Sequence, residues 1–277
     1  MLTKAEIDNG IKEIPPLPLA VSESIELLNN EVCDFNILQN TIAKDVALSG
    51  RILKVSNSPF YGLSGQVSSI KESCVVLGTH TLKNILIAVG VMDKFPPSSG
   101  NNIDISKMWH HCYCTAVTAK LLAQQVGVDP EKAFTAGLLH DVGKMVLDVY
   151  FSHYYADAIS HRKENDCLMI EAESEILGVT HSDVGGKIAA CWNLPEDIVY
   201  VIESHHDTAE DVTTSLNDIV NLADIVSQGL GYGHGSESLM PVIDKGLLDR
   251  NGLTLEKISK SFEEIDKVMS TAKEFIG

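Results

Sequence analysis

The chain has 277 residues, enough to bury a substantial core in one large domain or two packed lobes. Its 38 acidic side chains outnumber 21 Lys and Arg, a formal charge of -17, and no basic stripe interrupts that balance. Direct nucleic-acid binding is not expected, because neutralising a phosphate backbone takes clustered cations.

The opening stretch lacks the apolar core of a secretory signal, and no run approaches the roughly 20 apolar residues of a membrane span. A cytoplasmic protein that does not enter the membrane is expected. Cys33, Cys74, Cys112, Cys114, Cys167 and Cys191 are scattered through apolar segments. Only Cys112 and Cys114 lie close together, and on a helix they diverge, so those two read as reduced core thiols.

Taken in order, residues 3–13 predict a short helix that the Pro15–Pro16 pair breaks, since proline removes amide donors and fixes extended geometry. Val21, Ile25 and Leu28 then share one face. Asp34 is placed to cap a helix carrying Ile37, Leu38 and Ile42, and Leu48, Ile52 and Leu53 mark another. Residues 56–69 gather Ser, Pro and Gly around Phe60, Tyr61 and Leu63, a composition suited to a packed loop. Gly78 ends the next helix and Thr79 opens one with Leu82, Ile85, Leu86 and Val89 inward. Residues 96–102, PPSSGNN, read as the boundary between an N-terminal lobe (1–100) and a second lobe (101–277).

Beyond that connector, Met108–Ala123 predicts a helix bearing His111. Residues 133–147, AFTAGLLHDVGKMVL, keep an apolar rhythm of about 3.6 residues and read as one core helix that carries His140–Asp141. His181 follows in GVTHSDVG, His205–His206 in ESHHD, and Asp224 in a helix with Leu216, Ile219, Val220, Leu222 and Val226 inward. A final helix is expected over 254–276. No strand period is strong enough to demand a sheet, so the predicted fold is all-α, a multi-helix bundle. Histidine and carboxylate side chains aimed inward from several helices are how helical bundles build metal sites.

The order His111, His140–Asp141, Asp224 resembles the H…HD…D signature of the HD-domain superfamily of metal-dependent phosphohydrolases. His181 and His205–His206 resemble the additional histidines of its HD-GYP branch. More specifically, LPLA near the start, LSGRILKVSNSPFYGL, SIKESCVVLG, Trp109-x-His111, AGLLHDVGK, THSDVGG and the WNLP before ESHH resemble an HDOD domain, the HD-related output domain of bacterial signalling proteins.

This resemblance implies an N-terminal helical lobe beside an HD-like lobe. It also implies a metal set of His111, His140, Asp141 and Asp224, extended by His181, His205 and His206. The implied cofactor is a divalent ion: iron, manganese, magnesium or zinc. Asp141 and Lys144 are the candidates for catalytic roles, Lys144 by steadying phosphate charge one turn after His140, with solvent as its other destination.

Two departures weigh against a cyclic-dinucleotide phosphodiesterase. Lys107 stands where the HD-GYP pattern carries a glutamate, and the Gly-Tyr-Pro segment after the histidine pair is replaced by DTAEDVTTS. The expected function is a signal-transduction output module acting through a protein partner or a small phosphorylated ligand. The alternative is a metal-dependent phosphohydrolase acting on a phosphodiester or nucleotide signal.

Overall fold

The computed structural model describes residues 2–30, 33–58, 61, 65–207, 215–232, 239 and 241–272. Among them every regular element is a helix, as the periodicity predicts. None of these helices is long and apolar enough to cross a membrane. The chain divides into two compact units, one made of Met1–Pro15 with Phe95–Ile265 and the other of Pro16–Lys94 with Asp266–Gly277.

The first helix, α1 (Lys4–Glu13), opens on a reciprocal cap: Glu6 donates its backbone N–H to the Thr3 hydroxyl, and Thr3 donates its own to the Glu6 carboxylate. It belongs to the larger unit. The Leu2 N–H donates to Leu177 O at 2.8 Å, Asp8 pairs with Lys187 at 2.9 Å, and the Trp192 indole donates to Pro15 O at 3.3 Å.

The smaller unit holds α2 (Leu19–Asn29), α3 (Phe35–Ala43), α4 (Val46–Ser56), α5 (Ile70–Leu77) and α6 (Thr79–Met92). Asp34 caps α3, accepting from Asn36 N–H at 2.8 Å. Helix α6 is buried on nearly every side from Leu82 to Met92 and packs against α2, α4 and α5, so it is the core of this unit. Asn57 pins the following loop at both polar ends of its amide, donating to Val67 O and accepting from Val67 N–H. Of the apolar cluster expected there, Tyr61 is half-buried, and Phe60 and Leu63 lie outside the described residues.

The larger unit continues with α7 (Ile105–Val126), α8 (Pro130–Leu139), α9 (Val142–Tyr150), α10 (Ser152–Asn165), α11 (Met169–Leu177), α12 (His181–Cys191), α13 (Glu196–Ser204), α14 (Ser215–Gly229), α15 (Lys245–Arg250) and α16 (Leu255–Ser259). The PPSSGNN connector is tied to α9: Asn101 and Asn102 donate their backbone N–H groups to the buried Asp148 carboxylate at 2.7 and 2.8 Å.

Two elements differ from the periodicity reading. The expected helix over 133–147 is two helices, α8 and α9, parted at His140–Asp141. The apolar pattern runs through the break because residues 133–148 are buried on every side of both helices. The expected helix over 254–276 is also divided, into α16 and α17 (Phe262–Met269), with buried Ser261 held between them by Gln125 at 3.0 Å. Its tail, including Phe275 and Ile276, lies outside the described residues, as do residues 208–214 of DTAEDVTTS.

Candidate metal centre

The break between α8 and α9 decides the geometry of the pair. His140 ends α8 and Asp141 occupies the cap position of α9, yet the Asp141 side chain caps nothing. In a continuous helix neighbouring residues diverge by about 100°. Here both side chains turn into the core, 0% and 1% exposed.

Close helix approach completes the convergence. At Gly137 a Cβ would stand 2.9 Å from the Ala116 Cα, so glycine lets α8 ride on α7, which carries His111. At Gly143 a Cβ would collide with the His181 carbonyl oxygen, so glycine lets α9 meet the start of α12.

The resulting cluster has Asp141 at its middle. Its Oδ2 lies 3.6 Å from His111 Nε2, 3.4 Å from His140 Nε2 and 3.0 Å from Lys144 Nζ. Its Oδ1 lies 3.3 Å from His181 Nε2 and 3.7 Å from His205 Nε2. Asp224, on α14, approaches from the first side, with Oδ1 3.0 Å from His111 Nε2 and 3.7 Å from His140 Nε2. His206 Nε2 is 3.0 Å from His181 Nε2. All seven expected ligand residues therefore meet, as two groups that could each hold an ion, one around His111, His140 and Asp141 and one around His181, His205 and His206. Lys144 does not extend to solvent. It is 3% exposed and sits against Asp141.

Ring orientation adds a chemical signature. Nδ1 of His111 faces Tyr232 O at 3.0 Å, that of His140 faces Gly137 O at 2.7 Å, and that of His205 faces Ile202 O at 3.0 Å. Nδ1 of His181 faces the Glu173 carboxylate at 2.6 Å. Carbonyl and carboxylate oxygens only accept, so each Nδ1 carries its hydrogen and each Nε2 is the position that takes a proton or an ion. His140 Nε2 is buried and makes no hydrogen bond of normal geometry to either carboxylate. This donor set of imidazole nitrogens and carboxylate oxygens fits a divalent ion.

The two sides differ electrically. Burial opposes a charge on His140, but Asp141 and Asp224 override it and push its pKa up to about 10. Burial would raise Asp224, yet the His111 and His140 rings that face it hold it well below the usual carboxylate range. On the other side burial and the neighbouring histidines hold His205 well below its ordinary value, and burial followed by His181 brings His206 down to about 3.

Three supporting residues escaped the sequence reading. Gln228 donates to both Asp224 oxygens at 3.0 and 3.1 Å, Asn221 donates to His205 O at 2.6 Å, and Glu173 holds His181. Gln228 was legible as the residue one turn after Asp224. Glu173 shares the apolar stripe of Met169, Ala172 and Leu177, an improbable place for a carboxylate without a task. Beside the cluster lies a cavity of about 160 Å³, lined by Lys144, His181, His206, Asn221, Asp224 and Gln228 with apolar Leu168, Met169 and Ile225.

An all-helical domain that gathers histidines and aspartates around an HD pair is an HD-related module. The particular family is the HDOD domain, which the chain matches over residues 14–208 and to which it belongs. Among solved structures, an HDOD domain protein of unknown function from Geobacter sulfurreducens superposes with a TM-score of 0.78 at 24% identity, covering 98% of this chain and 96% of that one. A candidate phosphohydrolase from Shewanella amazonensis gives 0.78 at 22% identity, covering 97% of each chain. These two share the fold. Ribonuclease Y of Enterococcus faecalis is 31% identical over 196 residues, which are 71% of this chain and 30% of that protein. The chain spans well under half the length of the curated relatives it matches.

Proposed function

We propose that the chain is a metal-binding signalling output module, in which the state of the histidine cluster governs engagement of a protein partner. The observation that carries this reading is the ring orientation: four buried imidazoles, each anchored at Nδ1, direct Nε2 toward the two aspartates. A cluster built only for packing has no need of four such anchors, since buried polar groups are satisfied more simply by one partner each. His111, His140, Asp141 and Asp224 would hold one ion, and His181, His205 and His206, with Asp141 shared, a second.

The adjoining space of about 160 Å³ is smaller than the roughly 300 Å³ of ordinary ligand pockets, which favours a module over an enzyme of bulky nucleotides. Lys107 also points away from any catalytic part: it is exposed, 3.9 Å from Asp104, so no carboxylate joins the cluster from that turn of α7. Metal analysis of protein purified without added metal or chelator tests the reading. Near-stoichiometric transition metal is expected, and a metal-free protein that also fails to bind manganese, iron or zinc on titration would defeat it.

A metal-dependent phosphohydrolase is the second reading, and one observation favours it: Lys144 is buried beside Asp141 and lines the cavity. A divalent ion held there supplies Lewis-acid polarisation of a phosphoryl group. Lys144 would bind phosphate charge, and Leu168, Met169 and Ile225 would exclude water. Turnover of a phosphodiester or nucleotide that disappears in Asp141→Asn would shift the assignment to this reading.

A further inference from the structure

Glu173 lies on α11, eight residues before His181, and is 0% exposed. Its Oε2 accepts two hydrogen bonds from one residue, from the His181 backbone N–H at 2.7 Å and from His181 Nδ1–H at 2.6 Å. Its Oε1 is buried and makes no hydrogen bond among the described residues. Joining the start of α12 to α11 needs an acceptor, and a neutral amide would serve. Burying a carboxylate with one oxygen unsatisfied is a poor choice for that purpose alone, because burial penalises charge.

The direction of the bonds explains the carboxylate. With Nδ1–H committed to Glu173, His181 can present only Nε2 to its other neighbours, and those are Asp141 Oδ1 at 3.3 Å, His206 Nε2 at 3.0 Å and His205 Nε2 at 3.4 Å. His111, His140 and His205 are anchored by carbonyl dipoles. His181 is the one whose anchor is a carboxylate.

We propose that Glu173 is a positioning residue that fixes the Nδ1–H tautomer of His181 and strengthens its Nε2 as a ligand, so that it controls metal affinity on the His181–His205–His206 side of the centre. This inference rests on the metal-centre reading. It predicts an asymmetry between the two ions, since the His111–His140 side has no carboxylate anchor of this kind. A purely structural role for Glu173 predicts none.

Two substitutions separate these roles. In Glu173→Gln the amide oxygen can accept both bonds, so the helix junction and the thermal stability of metal-free protein stay as in wild type. The charge is lost, and affinity for the second equivalent of manganese or zinc falls about 10- to 100-fold, the usual effect of losing an outer partner of a ligating histidine, while the first equivalent binds as before. In Glu173→Leu both hydrogen bonds are lost. Nitrogen-15 spectra of the His181 ring then show hydrogen moving to Nε2, and the second equivalent is lost.

Wild-type affinity for both equivalents in Glu173→Gln and Glu173→Leu, with an unchanged His181 ring, would overturn the proposal. If wild type itself takes up no ion, the metal-centre reading fails instead. The ring spectra then decide alone: an unchanged tautomer in Glu173→Leu overturns the role of Glu173, and a switched one sustains it.

Discussion

Gly143 passes His181 so closely that α9 and α12 meet there backbone to backbone, with a Cβ at Gly143 standing 2.8 Å from the Gly185 nitrogen as well as colliding with the His181 carbonyl. That contact places Asp141, two residues earlier, within 3.3 Å of His181 Nε2. Alanine at 143 must push the helices apart. Gly143→Ala is expected to cost about 1–3 kcal/mol, the usual penalty of overpacking, and to weaken metal binding on the His181 side. Denaturant unfolding together with metal titration checks both effects, and a variant as stable as wild type would show that the contact relaxes freely.

Asp141 faces both histidine groups, one oxygen to each. Asp141→Asn should therefore weaken both ions, by about 100-fold or more, since it removes a direct ligand where an outer partner is worth 10- to 100-fold. His111→Ala and His205→Ala should each affect one ion. Competition with a chelator, read as stoichiometry and affinity for each variant, tests the shared position of Asp141. Loss confined to one equivalent in Asp141→Asn would refute it.

The cluster should make stability of metal-free protein depend on pH in both directions. His140, raised from 6.5 to about 10, holds a proton that the unfolded chain releases, so its contribution is complete below about pH 6.5 and is lost as pH rises toward 10. His206, lowered to about 3, stays neutral while the unfolded chain takes up a proton, so stability is lost as pH falls below about 6.5. Asp224, also lowered, adds a further loss in acid below its ordinary value of 3.8. Urea midpoints in the presence of chelator are expected to peak near pH 6.5. Replacing His140 by Ala should flatten the alkaline limb, and an unchanged limb would remove His140 as its source.

The cysteines offer a test of packing independent of the cluster. Cys74 is 3% exposed and burial pushes its thiol up to about 11, whereas Cys191 is exposed. Thiolate is the reactive form. Iodoacetamide at mildly alkaline pH should modify Cys191 first and leave Cys74 intact until the protein unfolds, as peptide mapping would show. Equal rates for the two would contradict the burial of the Cys74 face of α5.

Asp148 carries the remaining expectation. Its buried carboxylate accepts from Asn101 and Asn102 backbone N–H groups, and charge-assisted bonds of this kind are worth about 1.5–3 kcal/mol each. Asp148→Ala should lower stability by roughly 3–6 kcal/mol and raise hydrogen exchange across residues 100–104. Exchange there unchanged from wild type would mean that the connector is held by something else.

Much of this protein was legible in one dimension. Period 3.6 predicted helices throughout, Asp34 and Gly78 marked real helix ends, and the histidines stood out as polar groups in apolar stripes. Those are local properties, set by propensity, capping and the face that a segment must bury. Tertiary structure decided what those signals could not contain. The same apolar rhythm fits one helix or two, so only packing revealed the break at His140–Asp141 that lets adjacent side chains reach one point. Lys144 had solvent within reach of its long stem, and only the position of Asp141 drew it inside. Glu173 and His181 are on different helices, and nothing local relates a carboxylate on one to the tautomer of an imidazole on the other. Their pairing exists because the turn at Gly178, in left-handed backbone at φ 74°, brings the start of α12 to Glu173, and a buried charge to the one ring nitrogen that can satisfy it.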